Sequence, residues 1–186
     1  MDETIINETI TLLQKLIRNE CVNPPGNELR SIKTIKEFLK KKGVKCEVYK
    51  SAPNRGNLIA KIKGTKKSPS LMFGPSHVDV VPVEKPDEWI VSPFSGEIKD
   101  GYIWGRGAFD MLFIVAAQCQ AFAMLHNEKF KPKGDLVLAI VADEEAGGNF
   151  GCKWMIDNHP EKMKIENAVS EFGGFEISEN KLILPY

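Results

Sequence analysis

The chain has 186 residues, 42% hydrophobic and 27% charged, enough for one domain with a real core and not comfortably for two. That composition excludes wholesale disorder, a collagen-like rod and a coiled coil. Lysine plus arginine equals 25 and aspartate plus glutamate equals 25, so the formal charge is zero, and neither nucleic acid nor a membrane surface is an expected partner.

Residues 3–18 place Ile5, Ile6, Ile10, Leu13, Leu16 and Ile17 at helical spacing, which predicts an amphipathic helix. Asn23-Pro24-Pro25-Gly26-Asn27 breaks it. A second helix is predicted over 28–42 from the stripe Leu29, Ile32, Ile35, Phe38 and Leu39, with Gly43 in the usual terminating position. Strand character follows at 44–49, 57–62, 70–73 and 102–104. The stretch 74–101 is rich in Pro, Asp and Glu, and loops that long inside compact domains tend to be functional. Residues 108–126 are the most hydrophobic of the chain and predict a buried helix, while no apolar run approaches the ~20 residues of a membrane span. The continuous apolar run 135–141 predicts a central strand. A helix at 149–158 and strand-like pieces at 168–170 and 182–184 complete the pass. Strands alternating with helices imply a layered α/β sheet in a single domain.

Cys21, Cys46, Cys119 and Cys152 lie far apart, with no CxxC pair, which fits neither a zinc ribbon nor a disulfide-dense secreted domain. Reduced, mostly buried thiols in a cytoplasmic protein are the expectation. The polar, acidic N-terminus carries no pattern of a signal peptide.

In open α/β sheets the ligand crevice lies at the carboxyl edge of the strands. Here the predicted strand ends run into Ser76-His77-Val78-Asp79, Gly105-Arg106-Gly107-Ala108-Phe109-Asp110, Asp143-Glu144-Glu145 and Glu171-Phe172-Gly173-Gly174. Each has a plain structural reading: a hydrogen-bonded histidine, aspartates as helix caps, glutamates at a solvated helix start. Together they do not sit easily, because several carboxylates converging on one edge repel one another unless a cation lies between them. A mixed nitrogen and oxygen shell suits zinc or another divalent transition ion.

These motifs resemble the co-catalytic zinc amidohydrolases and metallopeptidases that include acetylornithine deacetylase, succinyl-diaminopimelate desuccinylase, aminoacylase and related carboxypeptidases. The resemblance takes in Asn23-Pro-Pro-Gly-Asn-Glu28, Ser76-His-Val-Asp-Val-Val-Pro82, Trp89 with Ser92-Pro-Phe94, Asp100-Gly-Tyr-Ile-Trp-Gly-Arg-Gly-Ala-Phe-Asp110, Asp143-Glu-Glu-Ala-Gly-Gly148 and Glu171-Phe-Gly-Gly174. It implies an α/β three-layer sandwich with a mixed, mostly parallel sheet of the phosphorylase/hydrolase-like kind. It also implies a two-zinc centre, with cobalt or manganese as possible substitutes. His77 and Glu171 would ligate one ion, Glu145 the other, and Asp110 would bridge them. Asp79 would orient the His77 imidazole, and Glu144 would be the general base that takes a proton from the attacking water. The peptide after Asp110 would be cis. Gly105 and Gly107 would permit a tight turn presenting Asp110. Trp89, Pro93, Phe94 and Arg106 would hold the long loop to the body. His126 and His159 match no motif and are expected at the surface.

Two features depart from the family pattern. Met111-Leu112-Phe113 follows Asp110 where relatives carry lysine or a small polar stretch. Relatives also run to about twice this length, adding a lid that serves dimerisation and a returning segment with a final histidine ligand. No histidine follows Glu171 here. Residues 1–186 are therefore expected to be the N-terminal portion of a catalytic domain, lacking lid and return. The second metal position would be left with Asp110 and Glu145, and the uncovered sheet edge would invite self-association. Two functions follow as expectations: hydrolysis of an amide bond in N-acyl amino acids or short peptides, or a metal-binding but incompetent fragment that needs a second half.

Overall fold

In the computed structural model, which describes residues 2–171, 175–178 and 181–183, helical periodicity is realised first in α1 (Glu3–Arg18) and α2 (Leu29–Lys41). The Asp2 carboxylate caps α1 by accepting from Thr4 N at 2.9 Å. The buried stripe of α1 begins at Leu12 and continues through Leu13, Leu16 and Ile17, while Ile6 stays 41% exposed. Ile32, Ile35 and Leu39 seal α2 against the body, and the chain leaves it through Gly43 at φ +80°, a left-handed turn that favours glycine.

Nine strands follow in three groups among the described residues. The main sheet takes β1 (Cys46–Ala52), β2 (Arg55–Ile62), β3 (Leu71–His77), β6 (Leu136–Val141) and β7 (Asn167–Val169), in the order β1-β2-β6-β3-β7. Pairing is antiparallel between β1 and β2 and between β2 and β6, and parallel from β6 to β3 and from β3 to β7. Only β2 therefore opposes the common direction of the other four. The central place of β6 explains its unbroken apolar run: both of its faces are covered.

Alternation along the strands sorts side chains into two layers. Leu58, Ala60, Leu138 and Ile140 meet α1, α2 and α3 (Phe113–Asn127) on one face. Ile59, Met72, Val137 and Ala139 meet Trp154 and Met155 of α4 (Cys152–Asn158) and Met163 of α5 (Pro160–Met163) on the other. This is the expected α/β three-layer sandwich with a mixed, mostly parallel sheet.

Several boundaries differ from expectation for physical reasons. Strand β3 runs through Gly74 and Pro75 to His77, with a register shift between Phe73 and Ser76, so the irregular stretch starts later than the apolar pattern implied. The segment Tyr102–Trp104, β5, joins Glu97–Lys99, β4, in a separate two-stranded ribbon and is not a strand of the main sheet. Three exposed residues, Glu-Ile-Lys, gave β4 no apolar signal. Strands β8 (Phe175–Ser178) and β9 (Lys181–Ile183) pair with each other as a hairpin, where only the second was expected; Leu184 lies outside the described residues. The predicted helix over 108–126 is divided. Residues Ala108–Leu112 form a wide, irregular turn, and regular helix starts at Phe113. Taken together, Ala108–Asn127 is long and apolar enough to cross a membrane by length and composition, against the expectation that no such run exists. Its apolarity has a local cause: Val115, Ala116, Cys119 and Phe122 are fully buried against the sheet and α1.

Gly151 stands at the start of α4, packed against the residue after β6, and a methyl group on its α-carbon would fall on the Ala142 carbonyl oxygen. Backbone cannot yield as a flexible side chain does. Gly151→Ala is expected to destabilise the chain by about 1–3 kcal/mol, read as a lower midpoint in thermal unfolding; an unchanged midpoint would contradict this packing of α4.

Candidate metal centre

His77 ends β3 at the carboxyl edge of the sheet and is 1% exposed. Its Nδ1 lies 3.0 Å from the Asp79 carbonyl oxygen and 3.5 Å from Asp79 Oδ1. Its Nε2 faces three carboxylates: Asp110 Oδ1 at 3.3 Å, Glu144 Oε2 at 3.7 Å and Glu171 Oε2 at 3.8 Å. Although buried, Nε2 makes no hydrogen bond among the described residues. Burial would lower the affinity of this imidazole for a proton, yet Asp79 first, then Glu144 and Glu171, lift its pKa to about 9. The same field that holds a proton there would hold a metal cation.

Asp110 reaches the centre differently from expectation. It does not extend a main-sheet strand; it sits in the Ala108–Leu112 turn ahead of α3, with an extended backbone at φ −112° and ψ 104°. Gly107 enters this turn at φ +79°, and the Val80 side chain occupies the space a β-carbon would need. The Asp110–Met111 peptide is cis, as the resemblance implied. Met111 and Leu112 are buried, so two of the three unusual apolar residues after Asp110 serve the core, while Phe113 remains 42% exposed beside Phe109. The Asp110 carboxylate itself is open to solvent.

After β6, Asp143 turns at φ +69° and Glu144–Ala146 make a single 3-10 turn. Asp79 fixes that turn by accepting the backbone N–H of Glu144 at 3.2 Å and of Glu145 at 3.1 Å, one on each oxygen. Ligand atoms of His77, Asp110 and Glu145 then lie within 4.8 Å of one another. Burial, with Asp110, Asp79 and Glu144 adding to it, pushes the Glu145 carboxyl up to about 7 against the pull of His77. Glu171, just beyond β7, is also raised, by burial first and by Asp110 and Glu144. Asp79 moves the other way: burial opposes its charge, but the hydrogen bonds from His77 and Asn23 keep it below the usual carboxylate range.

All six singled-out residues, His77, Asp79, Asp110, Glu144, Glu145 and Glu171, thus meet at one end of the sheet. Phe172, Gly173 and Gly174 of the last motif lie outside the described residues. A cleft of about 590 Å³ adjoins the centre, lined by His77, Glu144 and Glu171 together with the apolar Met72, Val141 and Ile156. An orphaned buried imidazole nitrogen surrounded by carboxylate oxygens fits a divalent ion such as zinc. Elsewhere the loop residues behave as expected: the Arg106 guanidinium lies 5.4 Å from the Trp89 ring, the Arg106 backbone N–H donates to Pro93 O at 2.7 Å, and Phe94 packs on the core. His126 is exposed, whereas His159 is half-buried, 4.4 Å from the Tyr49 ring and 5.3 Å from that of Trp154.

Residues 75–181, more than half of the chain, match peptidase family M20/M25/M40. The chain belongs to this family. Among M20-related sequences it is 35% identical over 158 residues to a succinyl-diaminopimelate desuccinylase of Wolbachia pipientis wMel, covering 84% of this chain and 38% of the relative. It is 32% identical over 195 residues to an uncharacterized metallohydrolase of Methanococcus maripaludis, covering 97% of this chain and 46% of the relative. The M20 metallo-carboxypeptidase Sso-CP2 of Sulfolobus solfataricus superposes with a TM-score of 0.74 at 25% identity, over 94% of this chain and 38% of that one. The chain therefore spans less than half the length of these M20 relatives.

Four further residues stand behind the candidate ligands and had no assigned role in the motif pattern: Asn23, Glu28, Arg55 and Asp143, each buried. Arg55 lies in no motif at all. Asn23 and Glu28 bracket the Pro-Pro-Gly turn, in the first of the motifs that carry the resemblance.

Proposed function

We propose that the chain is the N-terminal portion of the catalytic domain of a metal-dependent hydrolase that cleaves an amide bond in N-acyl amino acids or short peptides. The observation that carries this reading is the buried, unpartnered Nε2 of His77 within reach of Asp110, Glu145 and Glu171. His77, Asp110, Glu145 and Glu171 would hold two zinc ions, or cobalt or manganese, with Asp110 between them. Ions held there supply Lewis acidity, lowering the pKa of water and polarising a carbonyl oxygen. Glu144 would then take the proton of the attacking water and return it to the leaving amine. Its Oε2 lies 3.7 Å from His77 Nε2, and its side chain is 41% exposed, near enough to the centre and open enough to move protons. Asp79 would act through its hold on the imidazole and on the Glu144–Glu145 turn. The names of the relatives, a desuccinylase and a metallo-carboxypeptidase, support amide hydrolysis and leave the acyl group open.

A second reading has its own support. Because the chain covers only 38% of the desuccinylase, it would bind metal yet need a further polypeptide segment for turnover. Elemental analysis of the purified chain, with hydrolysis assays on a panel of N-acyl amino acids and dipeptides, tests both. Bound metal with turnover is the expected result of the first reading; bound metal without turnover supports the second; absence of metal after zinc loading defeats both.

A further inference from the structure

A line of buried charge runs behind the centre. Arg55 binds Glu28 with two arms, Nε to Oε2 and Nη2 to Oε1, each at 2.6 Å. Nη2 also reaches Asp143 Oδ1 at 2.6 Å, and Nη1 donates to the Pro25 carbonyl at 3.1 Å. The amide of Asn23 then donates to two carboxylates at once, Asp143 Oδ1 at 2.9 Å and Asp79 Oδ2 at 2.8 Å. The other Asp143 oxygen accepts Phe150 N–H at 3.0 Å. Every side chain in this line belongs to a residue no more than 6% exposed.

The chemistry of each link is restrictive. Only the NH₂ end of an amide can stand between two carboxylates, because its oxygen would meet two anions. Asn23 is aimed there by the main chain, whose Asn23 N–H donates to Val80 O at 2.9 Å. The Pro-Pro-Gly turn leaves room for the guanidinium: Arg55 occupies the space a β-carbon on Gly26 would fill, at φ +79°. The guanidinium pairs with Glu28 and Asp143, and Asp79 joins the line through Asn23, so three carboxylates share one guanidinium and negative charge is in excess directly behind His77. Buried excess charge is costly unless a cation compensates it. Asp79 and Asp143 also hold the two ends of the segment that presents Glu144 and Glu145.

We propose that Asn23 and Arg55 are positioning residues for the metal centre. Together they fix Asp79 and the Asp143–Glu145 turn so that His77 and Glu145 converge on one ion, and so set its affinity. The inference rests on the metal-centre reading above. Groups that orient ligands from behind typically change metal affinity 10- to 100-fold when altered.

The test is zinc affinity, measured by competition with a chromophoric chelator and scaled to the folded fraction, beside thermal unfolding of chelator-stripped protein. Asn23→Ser and Arg55→Lys are expected to weaken zinc binding about 10- to 100-fold. Phe150→Ala removes a ring 4.7 Å from the Arg55 guanidinium and is expected to weaken it roughly two- to fivefold. If folded Asn23→Ser and Arg55→Lys bind zinc like the parent and only unfold at lower temperature, the line is structural alone and the inference is overturned. Should neither fold, Phe150→Ala decides, since its ring is 38% exposed and its loss leaves the core intact; parent-like affinity there overturns the inference. A parent chain that binds no zinc fails the metal-centre reading itself, a result distinct from parent-like variants.

Discussion

Glu144→Gln is expected to lower kcat for amide hydrolysis by roughly 10²–10⁴-fold while leaving zinc stoichiometry unchanged, the range for removal of a positioned general base. Glutamine keeps the shape and the backbone N–H that Asp79 accepts at 3.2 Å, so the turn has no reason to move. What it loses is the ability to take a proton. The neighbouring Glu145 faces the opposite outcome. Its ligand atom belongs to the tight group with His77 and Asp110, so Glu145→Gln should lower zinc occupancy as well as rate. Steady-state kinetics with metal analysis on both variants separates the two roles. Equal loss of metal in both, or retained turnover in Glu144→Gln, would reverse or remove the assignment. If the parent chain needs a further segment for turnover, the metal arm of the comparison still distinguishes base from ligand.

The second large effect is on metal affinity as pH changes. A metal ligand must give up its proton, so affinity falls wherever the metal-free site holds protons that the loaded site does not. In the metal-free chain His77 titrates at about 9, which means that one proton is displaced from it between pH 7 and 9. Apparent zinc affinity should therefore drop about tenfold for each pH unit below 9. Glu145 titrates at about 7, so a second proton joins below that point and the drop steepens towards about a hundredfold per unit. His77→Ala should weaken zinc more than any change behind the ligands and flatten the upper limb of this profile. Chelator competition across pH 6 to 9.5 measures the slopes; a pH-independent affinity in the parent would mean that His77 is not a ligand.

Helices α1 and α2 were legible because their apolar residues recur at helical spacing over thirteen residues or more, and tertiary contacts only shifted which end is buried. The central strand was legible for a different reason. A six-residue run, Leu-Val-Leu-Ala-Ile-Val, can be wholly apolar only where both sheet faces are covered. The β4–β5 ribbon was not legible as a separate unit. Its strands have three residues each, and period-2 alternation over three residues cannot say which partner a strand will choose. For the same reason Asp110 was traced to the right place by the wrong route, since Tyr102–Trp104 reads as a sheet strand until its partner is known.

By itself the sequence supplied the candidate donors, an imidazole and carboxylates, in an order that marks the M20 family. Those residues are local signals, because each follows directly on the strand or turn that presents it. What holds them was decided by the tertiary structure alone. Arg55 meets Glu28 across 27 positions and Asp143 across 88, and Asn23 reaches Asp79 across 56 and Asp143 across 120. No periodicity or spacing rule operates over such separations. A charged residue is stable in the interior only if the fold brings it a partner, and which partner arrives depends on how β2, β3 and β6 are ordered in the sheet.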